Sequence, residues 1–440
     1  MRRTGNGAGQ RSRRATCFPQ VVFCGLFGFD RGLFMGWLKR FQSDNKYLVF
    51  TLLYLGFCVS YVDRAAIGIA LTAVAKEFQL APNEMGIVIS AFFVGYSIMQ
   101  IPGGWLADKY GSKIVIITAL FCWSLFTLGT GFAASLTMLL VIRFLFGLGE
   151  GPFPASSFKA IAEYFPKKER AKFTGGLVSS NYIGSALAPM IIVPLMIYFG
   201  WRNMFHVLGV LGLAYILFYF LLVRPRRVDE ETQEDRENRG RHMKKLLSMP
   251  LMWKLIVAAF CISCINKGLD AWMPTYLLTV RHLDLKAVGI LTPLPFIAAG
   301  LSSAMCGYVM DKFFNRKEQY LLAICAAGTA VFLYFMYTAQ TVAGVIFFQC
   351  LVYFFKSCVL ASAVAIPMKL MTGAVSGVAS GLVNMGGQVA GFISPVIIGY
   401  LVLFFNGSYN AVFYYLIAAA ALCVLCSVSI PRRRTDSVSL

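Results

Sequence analysis

Long apolar runs follow one another along most of this chain, separated by short polar segments. They fall at about 47–72, 84–106, 114–133, 136–163, 171–198, 203–223, 251–280, 285–310, 319–338, 342–370, 375–404 and 409–430. A hydrocarbon core about 30 Å thick needs roughly 20 helical residues at 1.5 Å each, so the pattern predicts twelve membrane-spanning helices. The one long polar block between them is DEETQEDRENRGRHMK, residues 229–244, which divides the spans into six and six.

Basic residues fall in alternate loops. One set carries Lys109/Lys113, Lys167/Lys168/Arg170/Lys172, Arg224/Arg226/Arg227 with Lys244/Lys245, Lys312/Arg316/Lys317 and Arg432/Arg433/Arg434, whereas the other set holds little beyond Arg202. Positively charged loops stay in the cytoplasm, so both termini are expected there. The chain reads as an N-terminal cytoplasmic extension (1–46), a six-helix half (47–223), a cytoplasmic linker (224–250), a second six-helix half (251–430) and a cytoplasmic tail (431–440). Residues 1–34 carry several arginines and no acid until Asp30. A transit or signal peptide is one reading; the other, preferred here, is that translation starts at Met35 and 1–34 is an upstream extension.

Composition agrees with the pattern. Of 440 residues, 58% are hydrophobic and 14% charged, against about 25% charge in soluble domains. The 40 Lys and Arg against 20 acids would suit nucleic acid, yet they sit in the loops between apolar runs, with no zinc or helix-turn-helix pattern, and that partner is rejected. All twelve cysteines except Cys17 and Cys24 lie in apolar runs, where small buried thiols are expected. Cys261-x-x-Cys264 and Cys423-x-x-Cys426 lack a nearby His or second pair, so no metal and no cofactor are assigned.

The halves repeat weakly. Gly104-x-x-x-Asp108-Lys109 returns as Gly307-x-x-x-Asp311-Lys312, and Gly176-Leu177-Val178 with Pro189 returns as Gly381-Leu382-Val383 with Pro395. Two repeated halves suggest a transporter with its site between them near the midplane.

Ionisable residues inside the spans are the candidate chemistry, because an ion in hydrocarbon costs at least about 2.5–3.5 kcal/mol and faces a cavity, a partner or a substrate. Arg143 and Glu150 share one face of the fourth span, roughly 10 Å apart along it. Arg64 in the first span lies at about the depth of Arg143, and two planar guanidinium forks at one level suit a carboxylate. Asp63 points about 100° away from Arg64 and is free to pair with Arg143, either when the site is empty or as a permanent buried link between the first and fourth spans. Glu150 lies deeper, near the midplane, where burial favours the neutral acid and suits a proton carrier; the plainer alternative is that it satisfies the broken backbone before Gly151-Pro152. Tyr96, on one face with Gln100, and Asn181 and Asn384 are candidate hydrogen-bonding groups for a hydroxylated substrate. In the second half, Lys267 and Asp270 are spaced to neutralise each other. Lys356 falls within a residue of Glu150 shifted by the repeat. It is a candidate for a second anionic group on the substrate, for pairing with Asp270, or for holding Glu150 ionised, and these remain open.

Gly104-Trp-Leu-Ala-Asp108-Lys109-Tyr-Gly111-Ser-Lys113 resembles the signature loop of the major facilitator superfamily, over essentially all of 47–430. Tyr61-Val62-Asp63-Arg64, Gln100-Ile-Pro-Gly-Gly104, Arg143-x6-Glu150-x-Pro152-x-Pro154, Tyr164-Phe-Pro-x-x-Glu169-Arg170 and Gly200-Trp-Arg202-x-x-Phe205 resemble its anion:cation symporter branch. That branch includes hexuronate and aldonate carriers, sialin and vesicular glutamate transporters. The resemblance implies an all-α fold of two pseudo-symmetric six-helix halves in a bacterial inner membrane. It implies proton-coupled uptake of a small organic anion, commonly a sugar acid, with Glu150 as proton carrier; Asp63 is a further candidate for proton coupling. Asp108 is expected to latch helix ends with Lys109 or Arg170. The protein is expected to be a monomeric carrier with the bilayer, protons and an organic anion as partners, and not an enzyme. A drug–proton antiporter would want an acidic cavity and a GPxxGG-like fifth span; a non-transporting anion sensor would want a soluble output domain.

Overall fold

The computed structural model describes residues 42–226, 245–315, 317–370 and 374–430. The expected extension 1–34, most of the linker and the tail 431–440 lie outside these. The described residues are almost wholly helical.

Six helices build the N-terminal half. These are α1 (Lys46–Phe78), α2 (Pro82–Tyr110), α3 (Ser112–Thr130), α4 (Leu136–Glu150), α5 (Pro152–Tyr164) and α6 (Lys167–Leu222). Side-chain caps start two of them: Asn45 accepts from the Tyr47 amide, and Ser135 accepts from that of Met138 at 3.2 Å. The fourth span is α4 and α5 in series. Pro152 has no N–H for the carbonyl four residues back, so the ladder breaks directly after Glu150. α6 would be about 84 Å long as one rod, more than twice a bilayer core. It is two spans, folded at Gly200, whose φ of 74° is open to glycine and strained for other residues. The second half comprises α7 (Pro250–Thr279), α8 (Leu285–Leu291) running into α9 (Pro293–Phe313), α10 (Glu318–Thr338), α11 (Val342–Leu370), α12 (Ala374–Phe404) and α13 (Asn410–Val428). The described residues thus make twelve crossings, six before the linker and six after it.

Within the first half α1 packs on α6, α2 on α4, and α3 on both α4 and α6; within the second, α7 packs on α12 and α13, and α11 on α9 and α10. The α2–α4 seam is very close. A Cβ on Gly147 would lie 2.1 Å from the Phe92 carbonyl oxygen, and where α2 runs on past α5 one on Gly103 would lie 2.4 Å from the Pro152 Cα. Small residues spaced along both helices let the backbones touch. We predict that Gly147→Ala forces this seam apart, with a loss of about 1–3 kcal/mol, whereas Gly129→Ala, which meets nothing within 4 Å, is tolerated. Thermal unfolding of the two detergent-solubilised variants checks this, and equal melting temperatures would contradict it.

The halves meet along α2–α12, α6–α9 and α1–α7. Their tightest approach is at the membrane face that carries the α1–α2 turn. There Gly86 abuts the Pro395 carbonyl and Gly399 abuts that of Pro82, each too close for a Cβ. Midway, the Tyr182 and Ser303 hydroxyls bond across the halves at 2.8 Å.

At the opposite face, polar links tie the N-terminal half to itself. Lys46 pairs with Glu169 at 2.6 Å, Arg224 with Asp44 at 2.9 Å, and Asp108 with Lys159 at 2.7 Å. The partner of Asp108 therefore differs from expectation. α2 packs on α5, which brings Lys159 within reach, while Arg170 donates to the Phe165 and Ala162 carbonyls that α5 leaves open. Lys109 instead lies over the rings of Trp105 and Tyr110.

Candidate functional site

Between the halves lies a cavity enclosing about 590 Å³ of unfilled space, part of it continuous with solvent. α1 supplies Tyr61, Arg64 and Gly68, α2 supplies Phe93, α6 supplies Ser185, and α7 supplies Lys267 and Asp270 from the other half. A smaller crevice between α7 and α13 is lined by Gly268, Trp272, Tyr276 and Tyr409 among apolar neighbours, and carries no charged group.

Arg64 is the charged centre of the first half. Its Nε donates to Glu150 Oε1 at 2.7 Å, and Ser60 Oγ, one turn earlier on α1, donates to the same oxygen. Glu150 is fully buried behind Arg64, which keeps 11% of its side chain exposed towards the cavity. The guanidinium carbon lies 4.4 Å from the Tyr96 ring centroid, 4.9 Å from that of Tyr61 and 5.3 Å from that of Phe92. This aromatic collar steadies the fork, since cation–π attraction acts through the ring faces. Tyr96 is accordingly a support for Arg64, and it is not among the residues that line the cavity.

Arg143 departs from the expected arrangement. It is 1% exposed, donates to Thr130 Oγ1 at 2.8 Å, and lies near the rings of Phe146 and Phe205. It turns into the packing between α3, α4 and α6 and does not join Arg64 at the opening. Asp63 likewise turns from the cavity into a buried layer with Trp123, Thr127 and Arg143. Among the described residues no ion pair within 4 Å joins Asp63 to Arg143. The two make a buried polar layer beside the site. Shared depth along two helices does not imply a shared direction around them.

The second half carries its own ion pair. Tyr353 donates to Asp270 Oδ1 at 2.6 Å, and Lys356 Nζ lies 3.5 Å from the same oxygen. Lys356 also donates to Asn266 Oδ1 and sits over the Tyr353 ring. It is 2% exposed, so it is withdrawn from the cavity, and Asp270, at 29%, is the member that faces it. Asp270 is thus engaged by α11, and the expected Lys267–Asp270 pair is replaced by Asp270–Lys356. Asn266, Asp270 and Lys356 each stand 206 positions after Ser60, Arg64 and Glu150. The same three-residue device recurs with its charges exchanged: cation forward and acid behind in one half, acid forward and cation behind in the other.

Of the hydrogen-bonding candidates, Asn181 has a buried side-chain oxygen without a hydrogen-bond partner, four residues before Ser185 and so on the same face of α6. Asn384 is exposed on α12 and lies away from the cavity lining. Ser185, Phe93 and Lys267 line the cavity without having been selected as binding residues. Of these only Lys267 carries a sequence signal, a cation in the middle of a span, there matched to Asp270 three residues on.

Comparisons with known proteins bear on this geometry. The family model described as Major Facilitator Superfamily matches residues 53–392 and 282–439. A probable sulfoacetate transporter of Cupriavidus necator is 31% identical over 84% of this chain and 90% of its own length. A probable galactarate/D-glucarate transporter of Escherichia coli K12 is 30% identical, covering 88% and 95%, and a hexuronate transporter of Bacillus subtilis is 28% identical, covering 89% and 95%. Among solved structures, a bacterial homologue of the human lysosomal transporter Spinster, inward-facing and unoccupied, superposes with a TM-score of 0.76 at 17% identity over 89% of this chain and 99% of its own. A D-xylose–proton symporter gives 0.73 at 15% identity over 89% and 99%.

Proposed function

Because the chain belongs to the Major Facilitator Superfamily, and is a transporter rather than an enzyme, we propose that it imports a small organic anion together with protons, by alternating access between its six-helix halves. The anion is a sugar acid or a similarly small carboxylate or sulfonate, as named for the relatives in three bacteria. One observation carries this reading: a buried arginine fork, held by rings, opens on the central cavity with a carboxylate as its resident partner. An incoming carboxylate can take that carboxylate's place on Arg64. Glu150, displaced from its cation, is then stable in the protein interior only as the neutral acid, so anion and proton enter together.

Asn181 and Ser185 are assigned to substrate hydroxyls, and Asp63 with Arg143 to the support of α1 against α4. The halves touch at the α1–α2 face and basic residues crowd the other, so we read the cavity as opening to the cytoplasm with both termini on that side. A bacterial inner membrane and a monomeric carrier complete the assignment. The linker 224–250 joins the halves, and the Asp108–Lys159 pair braces α2 against α5 during rocking. Two cations at the cavity, Arg64 and Lys267, weigh against a cationic drug as cargo.

The test is uptake by proteoliposomes under an inward proton gradient, with D-glucuronate, D-gluconate, D-glucarate and sulfoacetate as substrates and glucose as control. At least one acid should accumulate and leak out when a protonophore is added; uptake of no acid under any gradient would end the proposal. Arg64→Lys keeps the charge and loses the fork, and should weaken the apparent affinity about tenfold.

A further inference from the structure

Lys267 is the cavity cation that the ion-pair devices leave over. Asp270, three residues further along α7, already accepts from Tyr353 and faces Lys356, and Arg64 is matched by Glu150. Among the described residues Lys267 has no hydrogen-bond acceptor; its ammonium rests 5.2 Å from the Phe93 ring centroid and lines the same cavity as Arg64. Phe93 is a weak partner that a substrate oxygen readily replaces, since a cation on a ring face gains about 0.5–2 kcal/mol.

A charge count then constrains the cargo. Arg64 with Glu150, Lys356 with Asp270, and Arg143 with Asp63 cancel in pairs, which leaves the site at +1 through Lys267. When Glu150 takes a proton the site stands at +2, with one uncompensated cation in each half. Burying an unpaired charge in the low-dielectric interior is costly, so closing the halves around the cargo favours a substrate with two negative charges, one for each cation.

We propose that Lys267 is a second anion subsite and that the cargo is a dianion. It would be a short acid with a carboxylate or sulfonate at each end, one on Arg64 and one on Lys267. This rests on the organic-acid reading of the site and narrows it. The dianion also acts as a bridge, since Arg64 lies on α1 and Lys267 on α7. A monoanion fills one half's subsite and leaves the other cation unpaired.

Matched acids test this on the full-length carrier in nanodiscs, by titration calorimetry. D-Glucarate and D-gluconate share one hydroxylated six-carbon chain and differ in a second carboxylate; sulfoacetate and glycolate share a two-carbon carboxylate and differ in a sulfonate in place of a hydroxyl. The expected result is that the wild type prefers the dianion of at least one pair by about tenfold or more, and that Lys267→Gln reduces this ratio to about threefold or less. Lys267→Arg should restore the preference and shows that the charge, not the packing, is read. Equal affinity for both members of the pairs that bind, or a ratio unchanged in a folded Lys267→Gln, overturns the inference and leaves the organic-acid reading standing. If no acid of either pair binds, the organic-acid reading falls and takes this one with it.

Discussion

Glu150→Gln should still bind and exchange the organic acid across a membrane while losing every trace of accumulation driven by a proton gradient. The side chain is fully buried, and its Oε1 takes both Arg64 and Ser60, whereas Oε2 has no hydrogen-bond partner among the described residues. A proton arriving at Oε2 therefore displaces no protein hydrogen bond, and it removes the charge that holds Arg64. Glutamine copies that neutral state in shape. Arg64 is then permanently available to a substrate carboxylate, so exchange of internal for external acid proceeds, within a fewfold of the wild-type rate. Net uptake against a gradient requires the acid to be charged in the empty carrier and neutral in the loaded one, and glutamine cannot alternate. Counterflow and gradient-driven uptake, measured on the same proteoliposomes, separate the two functions. Full accumulation by Glu150→Gln would move the proton elsewhere, and Asp270, the acid facing the cavity, would be the first place to look.

The spans were legible because length and apolarity are properties of a single segment, and so was the fold-back between the fifth and sixth, where the apolar pattern lapses at 199–202 around Gly200. Which ionisable group meets which was much less so. Depth along a helix follows from counting residues, but direction around it depends on what packs there. Arg143 and Arg64 were matched in depth, yet Thr130 at the end of α3 and the Phe205 ring receive Arg143, and Arg64 alone turns to the cavity. The Lys267–Asp270 spacing is a rule for helices in water, where neighbours on one helix have no rivals. In the interior Tyr353 and Lys356 of α11 reach Asp270 first. The repeated device was hidden for another reason. A similarity between halves rewards like residues, whereas Arg64 and Asp270 occupy equivalent places with opposite charges. The half-repeat did bring Lys356 to the position of Glu150, but it could not say that the residue faces inward to Asn266.

Lys356 should therefore matter to anion binding without touching the anion. Lys356→Met removes a 2% exposed cation and leaves Asp270 with the Tyr353 hydroxyl as its hydrogen-bond partner among the described residues. Breaking a buried pair from one side costs about 3–5 kcal/mol, and the stranded carboxylate recovers part of that by drawing in the nearest free cation, Lys267 on its own helix. The cavity then loses the charge left for a substrate, and affinity for an organic dianion should drop by about a hundredfold, as far as removal of a charged partner carries it. The decisive measurement is the double variant. Asp270→Asn together with Lys356→Met deletes the pair from both sides, returns Lys267 to the cavity, and should recover most of the lost affinity and melting temperature. The interaction energy between the two sites is then large and favourable, as expected of residues in one network. If the double variant binds as poorly as Lys356→Met alone, Lys356 is itself an anion ligand and must swing from Asn266 into the cavity during transport. If Lys356→Met binds normally, the second half's ion pair holds α7 to α11 and has no part in selecting the cargo.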